Sequence, residues 1–108
     1  WGKEKKLTAK KDFTYIETNN PEDNSTNIDQ AIRNGFTTII SLSYLQAEEL
    51  ENAAKDNPKL KFALVDGEIT GKKNISSATF KDQESAYLAG LAAAYTTKSD
   101  QVGFIGGM

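Results

Sequence analysis

Cysteine and histidine are both missing from this chain. Their absence removes thiol nucleophiles, Ser-His triads and metal sites built on Cys or His. It leaves the redox compartment undetermined. Long apolar runs are missing too: no stretch approaches the ~18 residues of a membrane-spanning helix, and no signal peptide opens the chain. Nor is there a basic excess. Thirteen Lys and Arg stand against 15 Asp and Glu, so no electrostatic footprint for nucleic acid exists and none is expected as a main partner.

What is present fits one small folded domain. Hydrophobic residues make up 38% and charged residues 26% of 108, which argues against disorder and for a soluble globular chain. Residues 1–11 have helical propensity, with Trp1 and Leu7 apolar and five lysines on a wet face. That helix has no N-cap of its own. The chain also stops directly after a strand-like run, at Gly106-Gly107-Met108. Both ends predict a fragment.

The middle alternates between two periodicities. Residues 13–18 (FTYIET) carry the aromatic and β-branched content of a strand, ended by Asn19-Asn20-Pro21. Residues 22–34 place Ile28, Ala31 and Ile32 at helical spacing, with Asn24 or Ser25 as candidate caps and Gly35 as a left-handed stop. Residues 37–42 (TTIISL) form a nearly continuous β-branched run, as in a strand covered on both faces. A helix over 46–55 follows, stopped by Asp56-Asn57-Pro58. A third strand spans 61–65 (KFALV), a short one spans 75–79, and a last one is expected at 101–105 (QVGFI). Such alternation predicts an α/β domain with parallel strands and helices on both faces. No strand precedes the first helix, where such folds usually place a central one.

The stretch 80–95 (FKDQESAYLAGLAAAY) breaks the pattern. It is apolar nearly all round, so it needs cover on more than one side and is expected to be the central packing element. Gly90 would let it approach the sheet closely.

In an open α/β sheet, ligands bind beyond the carboxyl ends of the strands. Those ends supply Thr18-Asn19-Asn20, Ser41 to Tyr44, Asp66-Gly67, Thr79 to Asp82 and Gly106-Gly107. Hydrogen-bonding groups, two rings and a carboxylate would suit a small polar ligand with a flat face. Each residue also has a plainer role. Asp66 before Gly67 is a common turn pair. Asp82 would cap the helix beginning near Gln83, and Glu84 suits a helix first turn whatever the function. Tyr44 and Phe80 are as readily packing residues. Asp82 and Glu84 are the one acid/base pair, without a nucleophile or metal cluster beside them, so no enzyme is expected. The Gly-rich end lacks the spacing of a phosphate loop, and no cofactor is expected.

The runs 80–90 and 98–108, with Asn27-Ile28-Asp29-Gln30-Ala31, residues 37–42 and 62–67 (FALVDG) in order, resemble the basic membrane protein family. Those proteins are the substrate-binding lipoproteins of nucleoside ABC transporters, including purine nucleoside receptors. The resemblance covers the whole chain and is specific in its second half. It implies an incomplete N-terminal lobe of a type I periplasmic-binding-protein fold, flavodoxin-like, over residues 1–108. The first strand and the second lobe would be absent. Nucleoside would sit between the lobes, the transporter permease would be the protein partner, and the whole protein would be lipid-anchored outside the cytoplasm. Asp66 matches the family's base-contacting aspartate. Ser43 and Tyr44 are weaker transfers, because the family often has glycines there. Phe80 and Glu84 match a family motif that is partly structural.

Two other readings stand beside it: the ligand-sensing core of a transcriptional regulator, which would need a basic DNA-binding segment, and a Rossmann-type enzyme fragment. In the strand order of this fold the missing strand lies inside the sheet, which would leave unpaired edges. The chain is therefore expected to exchange elements with a copy of itself as a homo-oligomer, to pair across the gap with another copy, or to keep a cleaved partner peptide.

Overall fold

A computed structural model describes residues 4–106. Its centre is two five-residue strands of β-branched and apolar residues, β1 (Thr38–Leu42) and β2 (Lys61–Val65). A shorter strand, β3 (Ile75–Ala78), joins the far side of β2. All pairings are parallel, in the order β1-β2-β3. Helix α1 (Asn24–Arg33) leads into β1, and α2 (Ala47–Asp56) crosses from β1 to β2. The expected α/β alternation and parallel pairing are both present.

Local chemistry explains the boundaries. Gly35 takes φ 86°, its N–H donates to the Ile32 carbonyl (3.0 Å) and that of Phe36 to Ala31 (3.2 Å). This double closure ends α1 as a Schellman turn and swings Phe36 onto the core. At the end of α2, the Asn57 side-chain amide donates to the Ala53 carbonyl (2.9 Å). The Asn74 amide reaches back to the Ala54 carbonyl (2.9 Å) from the start of β3. The orphaned Ala54 carbonyl is thereby satisfied by a side chain, while the Ala53 carbonyl also accepts the Asn57 backbone N–H (3.0 Å). No side chain caps the start of α1; Asn24 is instead its first, buried residue.

Side chains alternate across each strand. In register, Ile39, Phe62 and Ile75 form one row toward α1 and α2, where they meet Ile28, Ala31, Leu50 and Ala54. Leu50 and Leu64 are wholly buried. The alternate rows, Ile40-Ala63-Ser76 and Leu42-Val65-Ala78, face the other way. No described helix packs on them, and Ile40 and Leu42 remain 62% and 67% exposed. Among the described residues the sheet is covered on one face.

Several expectations need correction. Residues 4–11 form turns, with Lys6 and Lys10 at positive φ, and no helix; positions 1–3 lie outside the described residues. Residues 13–18 and 101–105 are irregular, apart from an isolated bridge between Ala9 and Phe13. A strand exists through its ladder, and neither run pairs with the sheet. Gly107 and Met108 also lie outside the described residues. Helix α3 (Asp82–Thr96) forms as read but buries none of its residues, so it is not a central packing element here. Gly90 has nothing within 4 Å of where a Cβ would stand, so it serves no close approach. The physical reason lies in β3, whose one large apolar side chain, Ile75, already points to α1 and α2. Asp82 opens α3 without capping it by a side-chain bond.

Candidate functional site

The carboxyl ends of β1 and β2 leave the sheet through two unusual backbone positions. Ser43, directly after β1, has φ 110° and ψ 138°, a region that favours glycine. Asp66, directly after β2, has φ 65°, in the left-handed region that aspartate tolerates. Ladder bonds hold both. The Ser43 N–H donates to the Val65 carbonyl (2.8 Å) and the Asp66 N–H to the Ala78 carbonyl (2.9 Å). The Ser43 hydroxyl accepts the Leu45 N–H (3.3 Å), and its carbonyl accepts the Gln46 N–H (3.1 Å). Asp66 is thus both the turn residue that its sequence suggests and a carboxylate at a strand end.

The second turn presses on the first. A Cβ on Gly67 would stand 3.0 Å from the Tyr44 Cα and 2.8 Å from a Leu64 methyl. Ser43, Tyr44, Asp66 and Gly67 therefore make one joined rim. The Asp66–Ala78 bond places the chain leading to Phe80 beside it, and Phe80 is 62% exposed. Glu84 is turned to its own neighbour: its carboxylate pairs with Lys81 at 3.0 Å, with both side chains mostly exposed. Such a pair contributes at most ~1 kcal/mol.

Further polar residues gather beside β1, linked to this rim through Gln46, whose backbone N–H donates to the Ser43 carbonyl. Asn24 is buried and accepts from the Gln46 side-chain amide (3.2 Å), while the Asn27 amide donates to the Thr18 hydroxyl (2.9 Å). With Ser41 they line the polar side of a cavity of about 250 Å³ beside β1. Sequence reasoning named Thr18 and Ser41 as strand ends and missed Asn24, Asn27 and Gln46. The available signal was the spacing of Asn24 and Asn27, one turn apart on the helix face that carries Ile28 and Ala31. These groups can orient a neutral polar ligand by hydrogen bonds, while the Asp66 carboxylate, outside the lining of that cavity, offers an acceptor at the strand-end rim.

The strain at Ser43 has a measurable consequence. Ser43→Gly is expected to raise stability by about 1 kcal/mol, because glycine relieves the backbone and loses a weak cap. A lower urea midpoint would show that the hydroxyl bond to Leu45 outweighs that relief.

A parallel α/β sheet with polar groups gathered at its strand carboxyl ends has the architecture of a small-ligand-binding domain. The chain belongs to the family described as Bmp, ABC transporter substrate-binding protein PnrA-like, which it matches over residues 3–108. It is 44% identical over its whole length to the "ABC transporter nucleoside-binding protein BmpA" of Lactococcus lactis subsp. cremoris, of which it covers 31%. It is 35% identical over 89% of its length to the "CD4+ T-cell-stimulating antigen" of Listeria monocytogenes, covering 27%. The chain thus spans under a third of these curated relatives. A crystal structure of a protein assigned as a lipoprotein, from Peptoclostridium difficile 630, superposes with a TM-score of 0.59 at 34% identity. The match covers 78% of this chain and 70% of that one.

Proposed function

We propose that this chain is part of the extracytoplasmic solute-binding component of an ABC importer, and that the complete protein holds a nucleoside, in particular a purine nucleoside, between two lobes. Residues 1–108 would contribute to the N-terminal lobe. The observation that carries this reading is the 44% identity, over the whole of this chain, to a relative named for nucleoside binding. The rim is chemically suited to it. A carboxylate at Asp66 offers two acceptors to base or sugar donors, and the exposed rings of Tyr44 and Phe80 offer faces for a planar base. Ser43 would supply a hydroxyl. Glu84 would join only by leaving Lys81.

The relatives also support a lipid anchor and a permease partner for the complete protein. No described helix is long and apolar enough to cross a membrane.

Isothermal titration of the complete protein with inosine, guanosine, adenosine and cytidine tests the reading. Micromolar or tighter binding of at least one is expected, with Asp66→Ala weakening it about ten- to a hundredfold, the range for a hydrogen bond to a charged group. Heatless injections for all four nucleosides would overturn the receptor assignment.

A further inference from the structure

We infer that Gly67 is a positioning residue, setting where the Asp66 carboxylate stands by seating the β2 exit turn against the backbone of the β1 exit turn. This rests on the reading of Asp66 as a ligand contact and extends it to a residue with no side chain to offer a ligand. Among the described residues no side chain hydrogen-bonds the Asp66 carboxylate, so its direction comes from the backbone. Three observations define that backbone. Asp66 is left-handed, with its N–H held by Ala78. Ser43 and Val65 are tied by a 2.8 Å ladder bond, which fixes the height of one turn relative to the other. Gly67 then fills the remaining gap so closely that a methyl group would meet the Tyr44 Cα at 3.0 Å.

The nearest atoms differ in how they can respond. The Leu64 methyl, at 2.8 Å, ends a side chain, although one locked in the core. The Tyr44 Cα belongs to a backbone already fixed by the bonds at Ser43. An added Cβ must therefore push the two turns apart, carrying Asp66 with it. Displacement by a few tenths of an ångström is enough to lengthen a charge-assisted hydrogen bond beyond its favourable range.

The test is a double-mutant cycle in the complete protein, read by nucleoside titration and by thermal unfolding. Gly67→Ala is expected to lower affinity about tenfold. In the Asp66→Ala background the same change is expected to have no further effect, because the displaced group is gone. Leu64→Val removes the crowded methyl and isolates the contact with Tyr44: L64V should bind like the parent, and L64V/G67A should bind weakly. Parental affinity in L64V/G67A, or additive losses in D66A/G67A, would overturn the proposal, since the glycine would then serve the core or the fold at large. These outcomes are distinct from failure of the nucleoside reading, in which the parent protein binds none of the four nucleosides.

Discussion

At tens of micromolar, the 108-residue chain is expected to sediment as dimers and larger species, and Leu42→Lys to return it to monomers. We propose that copies associate through the open side of β1. The Thr37 carbonyl and the Ser43 N–H both bond to β2, so the alternating residues Thr38, Ile40 and Leu42 turn their backbone groups outward. No strand among the described residues pairs with them. An exposed row of donors and acceptors is a template for another strand, and natural edges are normally blunted by charge, proline or cover. Here the adjoining sheet face carries exposed Ile40 and Leu42 instead. Burying one such side chain contributes about 1.5–3 kcal/mol, so a few of them from each copy support association in the micromolar range. A lysine at position 42 takes the place of a side chain already in water, so it leaves the fold intact and puts charge on the edge. A single monomeric boundary at every concentration, in sedimentation velocity of the parent chain, would remove the proposal.

Leucine for alanine exchanges should divide sharply by position. Leu64→Ala is expected to lower unfolding free energy by about 2–5 kcal/mol, because the site is fully enclosed and can collapse only in part. Against a typical domain stability of about 5–15 kcal/mol, that is a large share. Leu88→Ala, in α3, should change stability by no more than about 0.5 kcal/mol, since Leu88 is 65% exposed. Urea unfolding of both variants measures the contrast. Comparable losses at the two positions would mean that α3 packs on the sheet after all.

These two leucines also show what could be read from the residues alone. Leu64 stands in a run of apolar residues short enough and flanked well enough to be a strand, and its burial follows from the pairing on both sides. Gly35 announced the end of α1, and TTIISL and KFALV announced β1 and β2, because each of those signals acts within a few residues. The failures share another cause. FTYIET and QVGFI have strand composition, but a strand is completed by a neighbour's backbone, which composition does not reveal. Leu88 has the same chemistry as Leu64, yet its environment depends on what lies over α3. At the rim, Asp66 was legible as a carboxylate before a glycine at a strand end. The amides of Asn24, Asn27 and Gln46 were not, because their convergence depends on how α1 and the turn after β1 pack together.

The bareness of α3 reaches beyond packing. Fifteen residues is close to the length at which an isolated helix is only marginally formed in water, and tertiary contact normally supplies the remainder. With alanines and leucines on every side, α3 has strong intrinsic propensity but no single stripe that selects one partner face. Its helicity is therefore conditional: whatever comes to lie against it also stabilises its backbone, and the free energy of forming the helix becomes part of the free energy of docking. The segment that shares least in the core is thus the one whose order would respond most to company.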